Sequence, residues 1–339
     1  MTPSAEDRHI LVVGGAGYIG SVLIRVLLSR GFRVRVLDSL IYDNGASMED
    51  LHENPGFSFI KGDFCDGETV KEALKDVTDV VLLAALVGDP ICRKYPREAV
   101  RVNDAGTIEF FDRANGQGLE SFVFLSTCST YGLRADDDYA TELSELNPQS
   151  LYAETKVKAE KYLIDHKDDF DYCPTMLRLA TAYGISRRMR FDLTISDFTR
   201  QLTLGKELVV YDEDTWRPYC HIGDTSDAIM RVLLAPRDQV CGQIFNVGSR
   251  EDNYTKKMVV EMILGELGHG KVKYQAGGSD PRNYRVSFDK IVSVLDFSNK
   301  YSVLGSIRRV INFVKSGMFD DVDQNLRFYT NTSIKGLKN

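Results

Sequence analysis

The stretch "VVGGAGYIG", residues 12–20, places Gly14, Gly17 and Gly20 in a GxxGxxG spacing. Residues 9–13 before it form an apolar run of strand length, and residues 18–30 carry Ile19, Val22, Leu23, Val26 and Leu27 at helical spacing. A strand that turns through glycines into a helix lets backbone N–H groups and the helix N-terminus meet a pyrophosphate. Glycines also serve any tight strand-to-helix turn, so the context matters. A second strand at residues 33–37 runs into Asp38, eighteen residues after Gly20. A carboxylate there accepts hydrogen bonds from ribose hydroxyls and repels a 2′-phosphate, which favours NAD over NADP.

Working outward, further strand-length runs lie at 57–60, 79–85 and 121–125, with helical patterns between them. Such alternation implies right-handed crossovers and a parallel sheet covered on both faces. The expected fold is therefore α/β, a Rossmann-type doubly wound sheet. A long helix at 150–167 and a strand at 175–179 follow. Beyond them, short strands (216–222, 244–247, 272–274) mix with helices (224–234, 255–267) without regular alternation. This divides the chain into a dinucleotide-binding domain, 1–180, and a smaller substrate-binding α/β lobe, 181–339, with some later segments returning to the main sheet. The polar tail from Gly317 is expected to be partly mobile.

The 339 residues are 43% hydrophobic and 27% charged, with a formal charge of −7. That balance suits a globular protein in water and argues against nucleic acid as a partner. No run approaches the ~20 apolar residues of a membrane span, and the first residues lack the apolar segment of a signal peptide. Six cysteines without a CxxC pair, and five dispersed histidines, predict a reduced cytoplasmic setting and no metal site. His221 reads as structural.

Three further stretches carry chemistry. Asp63 in "KGDFCD" is placed either to bond an adenine amino group or to cap the next helix. "LLAAL" offers small Ala84 and Ala85 at a strand end, for close approach to a cofactor or for packing. "FLSTCSTYG", residues 124–132, crowds hydroxyls and a thiol onto another strand end, yet no histidine base accompanies it for covalent catalysis. In "SLYAETK", Tyr152 and Lys156 share a helix face. An ammonium about 4 Å from a phenol is worth roughly 4 kcal/mol at a dielectric near 20, enough to lower its pKa by about three units.

These motifs, in this order and spacing, resemble the extended short-chain dehydrogenase/reductases, and more narrowly their NAD-dependent nucleotide-sugar epimerase/dehydratase branch, over residues 8–316. The resemblance implies catalysis by Thr127, Tyr152 and Lys156. It implies cofactor contacts from Gly14, Gly17, Tyr18, Ile19, Gly20, Asp38, Ser39, Asp63, Phe64, Leu83, Ala84, Ala85, Asn103, Ser126, Tyr152 and Lys156. The substrate, a nucleotide-diphosphate sugar, is expected on Thr127, Thr181, Arg188, Arg190, Arg217 and Arg282. A homodimer is expected through a four-helix bundle built from 91–115 and 150–167. The implied reaction starts by oxidising C4 of the sugar. A 4,6-dehydratase of the well-known type would carry an Asp-Glu pair after the catalytic threonine, where this chain has Cys128 and Ser129, so 4-epimerase and 4-dehydrogenase are favoured over it. "LAALVGDPICRKYP" and "DPRNYRVSFDK" resemble a subgroup that includes GDP-heptose 4-dehydrogenases and epimerase-like enzymes. A non-catalytic NAD-binding regulator would be marked by loss of the tyrosine or lysine; both are present.

Overall fold

The computed structural model describes residues 7–135, 138–278, 280 and 282–336. Residues 1–6, part of the stretch read for a leader segment, lie outside them. The first strands are β1 (His9–Val13), β2 (Arg33–Asp38), β3 (Phe57–Lys61), β4 (Asp79–Leu82) and β5 (Ser121–Thr127). Next come β6 (Tyr139–Ala140), β7 (Cys173–Leu179), β8 (Thr181–Tyr183), β9 (Glu207–Tyr211) and β10 (Trp216–His221). The last are β11 (Gln243–Val247), β12 (Asn253–Thr255), β13 (Lys271–Gln275) and β14 (Arg285–Val286).

Seven strands form one parallel sheet in the order β3-β2-β1-β4-β5-β7-β11. Every residue of β1, β4 and β7 is buried, as a sheet covered on both faces requires. Alternation along β1 divides its side chains between two cores: Ile10 and Val12 join one, Leu11 and Val13 the other. The strand expected to reach residue 85 stops at Leu82, because Leu83 and Ala84 both aim their N–H groups at the Val13 carbonyl, at 2.9 and 3.0 Å. The ladder thus ends where the cavity described below begins.

The helices that frame this end are α1 (Gly20–Ser29), α2 (Gly67–Ala73), α3 (Asp89–Lys94), α4 (Pro96–Val100), α5 (Thr107–Ala114) and α6 (Leu151–Asp165). The single helix expected over 91–115 is broken. Pro96 has no N–H to donate, and a π-helical turn at Arg101–Gly106 separates α4 from α5.

The chain returns to the large sheet after residue 180, through β11. The rest of the second lobe contains a three-stranded sheet, β12-β10-β8, and a β13-β9 pair. Helices Thr194–Thr203, Lys256–Leu267 and Val303–Lys315 pack around Ile195, Leu202, Val260, Ile263 and Ile307. The tail is packed rather than loose, which corrects the expectation from its polarity. Phe319, Val322, Tyr329 and Ile334 are buried, and Phe319 meets Phe191 edge to face at 4.9 Å. The Lys335 N–H donates to the Ile41 carbonyl at 2.9 Å, so residues 317–336 strap the lobe to the loop after β2. Among the described residues, no helix is long and apolar enough to cross a membrane.

Candidate active site

The carboxyl ends of β1, β2, β4, β5 and β7 open into a cavity of about 510 Å³, roofed by the second lobe and the strap. Of the residues expected at the site, Asn103 alone does not line it. Asn103 sits buried in the π turn, where its side chain accepts from the Leu86 N–H (2.8 Å) and donates to the Leu86 carbonyl (3.0 Å). It therefore fixes the loop that leaves β4.

At the glycine turn, Gly14 has φ +84, and a Cβ there would lie 2.8 Å from the Ala84 nitrogen. Only glycine fits both the backbone and the space. Asp38 accepts the Ala16 and Leu40 N–H groups at 3.0 and 2.9 Å. Burial raises its pKa, opposed by those two bonds. Asp63 lines the cavity, pairs with Arg101 at 2.8 Å and accepts from the Cys65 N–H. The helix cap offered as its other role belongs to Asp66, which accepts the Thr69 N–H at 2.9 Å.

The crowded end of β5 separates into two groups. Ser126, Thr127 and Ser129 face the cavity. Cys128 and Tyr131 point into the core, where the thiol donates to the Arg178 carbonyl at 3.1 Å and the phenol to Asn246 at 2.7 Å. Thr127 Oγ1 accepts the Ser129 N–H at 3.1 Å and lies 3.0 Å from Ser129 Oγ. Its own proton can therefore go to Ser129 or to a ligand.

Tyr152 and Lys156 reach the cavity from α6, whose start is capped by Ser150 accepting the Ala153 N–H. Lys156 Nζ donates to the Leu125 carbonyl at 2.8 Å and lies 4.4 Å from the Phe124 ring centroid. Burial pulls its pKa to about 8, against the pull of Glu160. Burial also pushes the Tyr152 phenol well above its ordinary value, reinforced by Cys92 and Asp89 and opposed by Arg190 and Arg282. The lysine-driven lowering expected from spacing alone is not what acts on the phenol: the cations that oppose its desolvation are Arg190 and Arg282, while Lys156 is turned to the Leu125 carbonyl.

On the substrate side, Arg217 and Arg282 converge on one carboxylate. Asp280 lies 2.8 Å from Arg217 and takes both a 2.8 Å Nε and a 2.8 Å Nη2 bond from Arg282. Burial would raise the Asp280 pKa, but the two guanidinium groups hold it well below the usual range. Arg282 also lies 3.3 Å from Asp89, which accepts from Ser150 at 2.6 Å. Arg190 is matched by Asp192 at 2.9 and 2.7 Å. Spacing gave no sign of Tyr42, Asn44, Asp89, Lys256, Asp280, Tyr284 or Asn331, all of which line the same cavity. Their loops come together only in three dimensions. His221 is structural: it is stacked on Tyr301 at 3.9 Å and accepts the Gly223 N–H. Among the described residues, no group of three or more His, Cys, Asp or Glu side chains could hold a metal ion.

Fold and site together are those of a Rossmann-type dinucleotide enzyme of the extended short-chain dehydrogenase/reductase class. Within it, the chain belongs to the NAD dependent epimerase/dehydratase family, whose profile matches residues 10–248. It is 30% identical to the UDP-glucose 4-epimerase of Corynebacterium glutamicum over 318 residues, covering 88% of this chain and 93% of that one. It is 27% identical to a dTDP-glucose 4,6-dehydratase of Streptomyces niveus, covering 91% and 93%. Among solved structures, the Thermus thermophilus UDP-glucose 4-epimerase in complex with NAD superposes with a TM-score of 0.79 at 25% identity, over 91% of this chain and 99% of that one. A dTDP-glucose 4,6-dehydratase of Streptomyces venezuelae with NAD bound gives 0.82 at 26% identity, over 91% and 97%. NAD is the cofactor that the family description carries. The cavity fits it: a cradle at Gly14 that a Cβ would fill, an acidic end to β2, and a buried Ser126 hydroxyl without a partner among the described residues.

Proposed function

We propose that this enzyme oxidises C4 of a nucleotide-diphosphate sugar, acting as a 4-epimerase or a 4-dehydrogenase in carbohydrate biosynthesis. The observation that carries the reading is the convergence of Thr127, Tyr152 and Lys156 with Thr181, Arg217 and Arg282 on the cavity that holds the glycine turn. Bound NAD supplies the hydride acceptor. Tyr152, once ionised, removes the proton from the sugar hydroxyl. Thr127 donates to that oxygen, with Ser129 holding the threonine in place. Lys156, fixed on the Leu125 carbonyl, brings positive charge to the phenolate and to the cofactor ribose. Arg217 and Arg282 present planar donors to the substrate diphosphate.

A 4,6-elimination is disfavoured because the position after Thr127 holds Cys128, whose buried thiol bonds the Arg178 carbonyl away from the cavity and is pushed well up by burial. No acid is thereby offered to a leaving hydroxyl at that point. A homodimer through the 91–115 and 150–167 segments, on the family resemblance, and a cytoplasmic setting, on the unpaired cysteines of the sequence, complete the reading.

The test is incubation with UDP-, GDP-, CDP- and dTDP-sugars, following NADH absorbance and product by NMR. A stereoisomer without net NADH identifies the epimerase, and a keto sugar with stoichiometric NADH the dehydrogenase. A 4-keto-6-deoxy product overturns the reading. Tyr152→Phe should lower kcat by about a thousandfold or more while NAD binding persists; an unchanged rate removes the mechanism.

A further inference from the structure

Arg188 is the largest fully buried side chain on the cavity wall, 1% exposed, and no carboxylate among the described residues pairs with it. Arg190, by contrast, is neutralised by Asp192. The Arg188 guanidinium lies 4.7 Å from the Tyr42 ring centroid, and its Nη2 donates to the Thr330 and Arg327 carbonyls at 3.1 and 3.3 Å. Among the described residues its Nε has no partner, and neither has a second donor on the same cavity wall, the Tyr42 hydroxyl; Asn44 Oδ1 and Asn331 Oδ1, which also line the cavity without a partner there, are acceptors. Burial and the Arg190 charge pull the Arg188 pKa down to about 10, against the pull of Asp192, Tyr42 and Asp38. A buried cation with no direct ion pair is costly unless an anion completes it.

The backbone says which anion. The Arg188 N–H donates to Ser186 Oγ at 3.2 Å, and Ser186 Oγ donates to the Tyr18 carbonyl at 2.8 Å and lies 2.8 Å from Ser21 Oγ. The Tyr18 hydroxyl in turn donates to the Gly184 carbonyl at 2.6 Å. Tyr18 and Ser21 belong to the glycine turn and the first turn of α1, where a dinucleotide diphosphate is received. Arg217 and Arg282, gathered on Asp280, form a separate cationic group. We propose that Arg188 and Tyr42 close a seat for the diphosphate of the dinucleotide, with Asn44 and Asn331 accepting from its ribose hydroxyls, so that Arg188 serves the cofactor and not the sugar nucleotide. Asn331 makes the C-terminal strap a working wall of that seat. The proposal rests on the cofactor reading above, and it moves Arg188 from the substrate group in which the family resemblance had placed it.

The test is calorimetric titration of NADH, NADPH and UDP into the wild type, Arg188→Met, Arg188→Lys and Asn331→Ala, with a thermal melt for each. Arg188→Met should weaken NADH by about 30-fold, the size of a lost charge-assisted hydrogen bond, and leave UDP within about threefold. Arg188→Lys should recover part of the loss through its charge. Asn331→Ala, which keeps the cation, should weaken NADH by about three- to tenfold and keeps the proposal testable if Arg188→Met does not fold. NADH binding unchanged in Arg188→Met overturns the seat. A loss confined to UDP also overturns it and returns Arg188 to the substrate. A loss confined to NADPH overturns it in favour of a 2′-phosphate site. A wild type that binds no dinucleotide overturns both the seat and the cofactor reading.

Discussion

Thr127, Ser129, Tyr152 and Lys156 show how much each side chain depends on what surrounds it. Ser129 holds Thr127 through its backbone N–H and faces it with its hydroxyl. Ser129→Ala should therefore lower kcat by about tenfold, through a misdirected threonine, whereas Thr127→Val should cost about a hundredfold; steady-state kinetics separate the two. Lys156 carries a stability signature. Its folded pKa, about 8, lies below the ordinary 10.5, so the unfolded chain binds more protons between those values and stability rises with pH across that window. The wild type should gain roughly 3 kcal/mol relative to Lys156→Met between about pH 7 and 10.5, read by urea denaturation of the cofactor-free proteins. That Tyr152 and Lys156 share a helix face was legible from spacing. Their desolvation was not, because it depends on Phe124, Leu125 and the roof that closes over them.

Helix α6 is held to the sheet by a buried ion pair. Arg178 on β7 donates to Glu160 at 2.7 Å, with side chains 4% and 2% exposed, and also to the Tyr131 hydroxyl at 2.9 Å. Glu160 lies one turn beyond Lys156, so this pair sets the angle at which the helix offers its two site residues. Glu160→Gln leaves the guanidinium buried without a counter-charge and should cost about 3 kcal/mol of unfolding free energy, measured by chemical denaturation. At this scale the alternating strands and helices were legible, because burial on both sheet faces writes continuous apolar runs. The break in 91–115 was not read, although Pro96 is plain in the sequence. Hydrophobic periodicity continues through a π turn with only a one-residue offset, and the purpose of the turn, aiming Asn103 at Leu86, is visible only in three dimensions.

Across the whole molecule, β11, the β6–β14 pair and the strap all tie the second lobe to the first. Asp43 receives Arg327 and Lys335 at the strap's exposed edge. Such pairs are weak, and Asp43→Asn should shift stability by less than about 1 kcal/mol. Tyr329→Ala, which removes a buried ring packed among Phe191, Phe319 and Phe328, should cost about 3 kcal/mol; thermal melts of both variants check the contrast. The tail looked mobile because polar residues outnumber its apolar ones. The few apolar ones fall where Phe191 and its neighbours need cover.

The strap also orders events during synthesis. The glycine turn leaves the ribosome before the other cavity segments, and the seventh strand of the sheet emerges with residue 247, yet Asn331 and Ile334 still have to reach the cavity they line. A nascent chain can therefore build the sheet, but it cannot shut its cofactor chamber until almost every residue described here has been translated.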